Sequence, residues 1–255
     1  MSTPITFEYP LNERFRTFMR LEYLFEQLDW FIPRPDVWST RTAIDALLDI
    51  ITITTRADVK NELTKEIDRH IASISRLTDQ PGVDPDALEK VLGDLAAAGE
   101  AIQQMHGPIG QNAREDEFLK AISQRNSIPG GTCSFDLPQF HHWLTQSAEV
   151  RQERIDGWLH DIGPTMRGIE LVLALVRTSA PARRLVAEGG FFQESLDPQS
   201  PAQMLRVTLD GDCALFPEIS GHKTRFSLRF MRAEGRGRPV PHESDVPFRL
   251  SCCVL

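Results

Sequence analysis

The stretch Ile219-Ser-Gly-His-Lys-Thr-Arg-Phe-Ser-Leu-Arg-Phe-Met231 separates its side chains by parity. Phe226, Leu228 and Phe230 fall on one side; Arg225, Ser227, Arg229 and Met231 fall on the other. A period of two belongs to a β-strand with one apolar and one cationic face. Lys223 shares the parity of the arginines and extends their row, while Gly221 and His222 supply a bend where the strand begins. The phenylalanines set which way the strand faces, so the cations point away from the core as a fixed array. Outward sheet faces often carry Lys and Arg merely to discourage edge-to-edge pairing, so the pattern establishes orientation before it establishes a role. Between 219 and 238, however, six Lys/Arg stand against one acid, Glu234, in a chain whose net charge is −8. A basic patch on an acidic protein suggests a docking surface for an anionic partner.

The neighbouring segments keep the β character. Leu205, Val207 and Leu209 alternate with Arg206, Thr208 and Asp210, and Asp210-Gly211-Asp212 is a turn signal. Arg206 joins the cationic face if the two strands are neighbours. Short apolar runs at Leu185–Ala187 and Phe191–Gln193 precede them. A Gly/Arg/Pro loop over 235–241 and a last strand near 246–252 follow. At the other end of the chain, residues 4–9 read as a short strand closed by Pro10.

Between these β segments the period changes to that of a helix. Leu11, Phe15, Phe18, Leu21, Phe25 and Leu28 form one amphipathic stripe, stopped by Pro33 and Pro35. Ile44, Leu47, Leu48 and Ile51 start a second, expected to fray in the β-branched run Ile51–Thr55. Thr55-Arg-Ala-Asp58 reads as a capping box for a third helix carrying Val59, Leu63, Ile67, Ile71 and Ile74. Asp84-Pro85 opens a fourth, with Leu88, Leu95 and Ile102, and the third and fourth read as an antiparallel hairpin. Gln111–Arg125 predicts one charged helix, Thr132–Leu137 a strand, and a helix after Leu144 carries Ile155, Trp158, Leu159 and Ile162. Met166–Val176, apolar almost all round, predicts the most buried helix. The expected class is α+β. An α-helical domain spans 11–180, with a strand excursion near 132–137, and a mainly antiparallel β domain takes in 1–10 and 181–255.

Composition bounds the function. With 255 residues, 41% of them hydrophobic and 25% charged, the chain is an ordinary globular one. No apolar run approaches the roughly 18 residues of a membrane span, and the first ten residues do not read as a signal peptide. Four cysteines without a Cys-x-x-Cys pair fit a reduced, cytoplasmic protein. Phosphate-loop, dinucleotide-binding, zinc-protease and nucleophile-elbow motifs are all missing. His141-His142 would diverge by about 100° on a helix and do not suit one metal. Cys252-Cys253 with His222 has no zinc-ribbon spacing, and Glu115-Asp116-Glu117 reads as a solvated face. The expectation is a binding protein, not an enzyme, with no cofactor and no metal.

Several segments together are similar to one family. Phe7-Glu-Tyr-Pro-Leu-Asn-Glu13 with Arg20-Leu-Glu22, Pro81-Gly-Val-Asp84, and Ile109-Gly-Gln111 with Arg114-Glu-Asp116 belong to the set. So do Ser127-Ile-Pro-Gly-Gly131 with Cys133-Ser-Phe-Asp-Leu-Pro138, and Ile219-Ser-Gly-His-Lys223 with Arg225-Phe226 and Arg229-Phe-Met231. In this order they resemble the ZapD family of bacterial cell-division proteins, which associate with FtsZ. The resemblance implies a homodimer of an α-helical and a β-strand domain, without enzymatic activity. It also implies binding to the C-terminal tail of FtsZ, which carries acidic and apolar residues, and action at the mid-cell division site. By motif the tail-binding residues are Arg225 and Arg229 with Lys223 alongside; His222 and Arg206 are further candidates. Where the family can place a basic residue after Arg-Glu-Asp this chain has Glu117, and Arg114 is the nearby cation that would substitute. Two sites per dimer would join two filaments.

Two other classes compete. A nucleic-acid-binding protein could use the same basic face, but the acidic pI of 5.4 and the lack of aromatic residues read on that face oppose it. An enzyme for an anionic small molecule would need a deep pocket lined by Arg225, Arg229 and His222.

Overall fold

The computed structural model describes residues 3–78 and 80–254. Two units make up the chain: Thr17–Val172 is one, and the residues up to Arg16 join Leu173 onward in the other. The first is helical, the second mainly antiparallel β, and the N-terminal strand belongs with the C-terminal ones.

The helices are α1 (Glu13–Phe31), α2 (Val37–Arg56), α3 (Val59–Ser75), α4 (Pro85–Gln104), α5 (Gln111–Glu115), α6 (Glu117–Asn126), α7 (Pro138–Leu144), α8 (Ala148–Leu159) and α9 (Gly163–Thr178). α3 and α4 pack on one another, burying Leu63, Ile67 and Ile74 on one and Leu88, Leu95 and Ile102 on the other. Asp84 caps α4 by accepting from the Asp86 and Ala87 amides, as the Asp-Pro signal predicts.

Four local expectations are overturned. α2 does not fray at Ile51: Thr52, Thr54 and Thr55 return their hydroxyls to the carbonyls of Leu48, Ile50 and Ile51 at 2.9, 2.8 and 2.6 Å. Their polar groups are thus satisfied inside the helix, and Thr55 lies in the last turn of α2 rather than capping α3, whose N-cap position is Asp58. The charged helix over 111–125 is two, because Asp116 caps α6 through the Phe118 and Leu119 amides. Finally, 132–137 is a series of turns and not a strand. Gly131, Cys133 and Leu137 donate to the carbonyls of Ile128, Gly130 and Cys133 respectively, so the backbone closes on itself, and among the described residues no strand pairs with it.

In the β unit, β1 (Ile5–Pro10), β4 (Met204–Leu209), β8 (Val246–Cys253) and β2 (Arg183–Ala187) form one sheet in the order β1-β4-β8-β2. β3 (Phe191–Ser195), β6 (Arg225–Arg232) and β5 (Leu215–His222) form a second in the order β3-β6-β5, and β7 (Val240–Pro241) pairs with the end of β6. All pairings are antiparallel. Leu205, Val207, Leu209, Phe248 and Leu250 of the first sheet share one core with Phe226, Leu228 and Phe230 of the second. The alternation of each strand decides its inner face.

Ile219–Met231 is therefore a hairpin and not one bent strand. His222 pairs with Arg225, leaving Lys223 and Thr224 as the turn, so Lys223 does not extend the row on β6. Gly221 lies opposite Phe226 on the inner face, where a Cβ would come within 2.8 Å of the Phe226 Cβ and 3.1 Å of Leu11 Cδ2. Its role is close packing.

Candidate functional site

β6 is the middle strand of its sheet, and its burial follows its parity. Phe226, Leu228 and Phe230 are buried, whereas Arg225 and Arg229 are exposed on the opposite face with Ser227 between them. The two arginines are four residue steps apart along extended chain, about 13 Å. Met231, of the same parity, is buried, so the cationic row ends at Arg229.

The register names the flanking side chains. Arg229 lies between Phe191 of β3 and Glu218 of β5, Ser227 between Gln193 and Ser220, and Arg225 between Ser195 and His222. The Arg229 guanidinium carbon is 5.8 Å from the centre of the Phe191 ring, within cation–π range, and that ring is 40% exposed. The expectation that this face lacks aromatic residues is thus corrected by Phe191. His222 sits at the exposed turn, with Nδ1 3.2 Å from the Thr224 hydroxyl and 3.4 Å from the Thr224 amide. Among the described residues, Arg225, Arg229 and Lys223 belong to no ion pair, whereas Arg232 is held by Glu234 at 2.8 Å. Three exposed cations and an exposed ring can together meet a ligand that carries both carboxylates and apolar groups.

Arg206 is placed elsewhere. It lies on β4 in the other sheet, so the condition for its joining the β6 face is not met. Its Nε donates to Glu8 Oε1 at 2.9 Å and its Nη1 to the Arg177 carbonyl at 3.2 Å. Arg177 also donates to Glu8, from Nη2 at 2.8 Å and from Nε at 3.0 Å. Burial raises the Glu8 carboxyl, but the hydrogen bonds and charges of Arg177 and Arg206 outweigh it and hold the group below its usual range. Arg114 belongs to α5 in the helical unit, where Nη2 donates to Thr54 Oγ1 at 3.0 Å. Desolvation pushes its pKa down, opposed by the charge of Asp161.

Phe191 and Glu218 are the neighbours that sequence reasoning missed. The signal for Phe191 was the Phe191-Phe192 pair, since in a strand adjacent residues face opposite ways. Phe192 indeed packs on the core. What assigns Phe191 to Arg229 is register, which parity alone does not supply.

Comparison with known proteins bears on the same chain. The model of the ZapD family, described as a cell division protein, matches residues 19–229. A protein of Methylococcus capsulatus named cell division protein ZapD is 42% identical over 255 residues, covering 100% of both chains.

Proposed function

Because this chain belongs to the ZapD family of cell division proteins, we propose that it acts in division by binding the C-terminal tail of FtsZ on the outer face of the β3-β6-β5 sheet. Carboxylates of the tail meet Arg225 and Arg229, with Lys223 and His222 at the adjoining turn, and an apolar tail residue covers Phe191. As a homodimer the protein presents two such faces, cross-links and bundles FtsZ filaments, and supports Z-ring assembly at mid-cell on the cytoplasmic side. It works by binding, without catalysis. The observation that carries this reading is a pair of arginines held outward by buried phenylalanines and, among the described residues, in no ion pair.

Avidity supplies what one shallow site lacks. A filament offers many tails, and a second contact made within one assembly multiplies weak affinities by roughly 10²–10⁴. Exposed charge pairs are screened by salt over about 8 Å at physiological ionic strength, so bundling should weaken as salt rises. Among the described residues no helix is long and apolar enough to cross a membrane, which suits a partner in the same aqueous compartment.

The test is co-sedimentation of polymerised FtsZ with wild-type protein and with an Arg225→Glu/Arg229→Glu variant of unchanged circular dichroism. Loss of bundling supports the site; full bundling by the folded variant removes it. Phe191 beside Arg229 also gives some support to nucleic-acid binding, because bases stack on such rings. Glu218 on the same face and the net charge of −8 oppose a polyphosphate backbone, and filter binding with random oligonucleotides separates the two readings.

A further inference from the structure

The β unit has a second outer face, and it too carries arginines that, among the described residues, are in no ion pair. Arg184 on β2 and Arg249 on β8 are register partners, which places their Cα atoms about 4.5–5.5 Å apart with both side chains on one face. Like charges directly opposite one another are destabilising in a sheet. Arg183 is in an ion pair with Glu194 and Arg206 with Glu8; among the described residues Arg184 and Arg249 are in none. They line a depression of about 440 Å³, together with Val186, Pro247, Thr208 and Asp210 among others. Val186 is half exposed there.

We propose that this depression binds the phosphate group of a small phosphorylated, hydroxyl-bearing ligand, clamped between the Arg184 and Arg249 guanidiniums. The geometry differs from that of the β6 face. There the arginines are spaced along one strand and suit separate carboxylates; here they stand side by side, so a single tetrahedral oxyanion can accept from both. Planar guanidinium forks match phosphate oxygens in paired hydrogen bonds. Thr208, paired in register with Arg249 and joined to Thr6 by a 2.9 Å hydroxyl contact, adds a polar group on the same face. Asp210 repels a second anionic group and accepts from a hydroxyl, which favours a polyol phosphate over a polyphosphate. Val186 and Pro247 supply the apolar surface for the ligand's carbon skeleton. The same chemistry is offered by a soluble glycerol phosphate or by the headgroup of an anionic glycerophospholipid.

The experiment uses the full chain, with arginine Nε–H resonances followed by NMR during titration with inorganic phosphate and then glycerol 3-phosphate. Expected are saturable shifts at Arg184 and Arg249, tighter binding of glycerol 3-phosphate than of phosphate, and a loss of about tenfold or more in affinity for Arg184→Gln or Arg249→Gln. Both side chains lie outside the core, so the variants should keep the wild-type amide spectrum elsewhere. The Arg225→Glu/Arg229→Glu variant should bind glycerol 3-phosphate unchanged, which keeps this site distinct from the tail-binding reading. Flotation with phosphatidylglycerol vesicles tells the sources apart: arginine-dependent flotation identifies the headgroup, and glycerol 3-phosphate binding without flotation identifies a soluble ligand. No saturable shift at millimolar concentrations, or affinities unchanged in both glutamine variants, overturns the proposal.

Discussion

Arg229 and Phe191 are register partners on adjacent strands, with the guanidinium carbon 5.8 Å from the ring centre. On its other side Arg229 faces Glu218, yet the two are not in an ion pair. One cation therefore stands between an apolar and an acidic neighbour, and each can be altered without touching the core. Phe191→Ala should weaken binding of an FtsZ tail peptide by about two- to fivefold, the worth of an exposed cation–π contact. Glu218→Gln should strengthen it by a similar factor, since it removes a competing anion from the face. Fluorescence anisotropy with a labelled peptide reads both, and opposite signs are the expected outcome.

Glu8 makes a different prediction, about the stability of the β unit. Its carboxyl sits below the usual range in the fold, so it stabilises the folded state above the unfolded carboxylate pKa. That contribution is lost as pH falls from the unfolded value through the folded one. Glu8→Gln leaves two arginines without their shared acid and should cost about 1–3 kcal/mol at neutral pH, below the figure for a fully buried pair because Glu8 remains 18% exposed. Urea denaturation at neutral and acidic pH should show a smaller pH dependence in the variant than in the wild type.

Two glycines should respond oppositely to alanine. At Gly221 the new Cβ meets Phe226 and Leu11 at 2.8 and 3.1 Å, and overpacking should lower stability by about 1–3 kcal/mol. At Gly93, inside α4, a Cβ meets nothing within 4 Å, and the change should raise it by about 0.5–1 kcal/mol. Thermal unfolding of both variants tests the hairpin packing and the α4 assignment together.

Cys253 is fully buried, and burial pushes its thiol up to about 11. The thiolate is the reactive form, so Cys253 should resist iodoacetamide at pH 8 in the native protein and label only on unfolding. Cys133 and Cys213 are partly exposed and should label in the native state. Peptide mass mapping distinguishes them.

The fold class was legible where periodicity was strong. Phe226, Leu228 and Phe230 announced the inner face of β6, and Asp84-Pro85 the start of α4. The hairpin at Lys223-Thr224 was not legible, because neither residue is a turn-former of the Asn-Gly kind and neither takes a positive φ. The helical ending of α2 was hidden by β-branched residues whose hydroxyls find carbonyls four residues back in the same helix, a local satisfaction that the propensity ranking does not show. Of the candidate residues, Arg225 and Arg229 could be read from parity. The partner of Arg206 could not, because Glu8 lies 198 residues away and only the β1-β4 register brings it there. Phe191 was hidden for the same reason: pairing between strands carries no local signal.

The most direct measurement of the β6 face is titration of a synthetic FtsZ C-terminal tail peptide into the protein, with amide and arginine resonances mapped by NMR. The expected result is saturable, salt-sensitive shifts concentrated at Arg225, Arg229, Phe191 and the Lys223 turn, abolished in the Arg225→Glu/Arg229→Glu variant. Saturable binding whose shifts avoid that face, or that survives the double charge reversal in a folded protein, would contradict it.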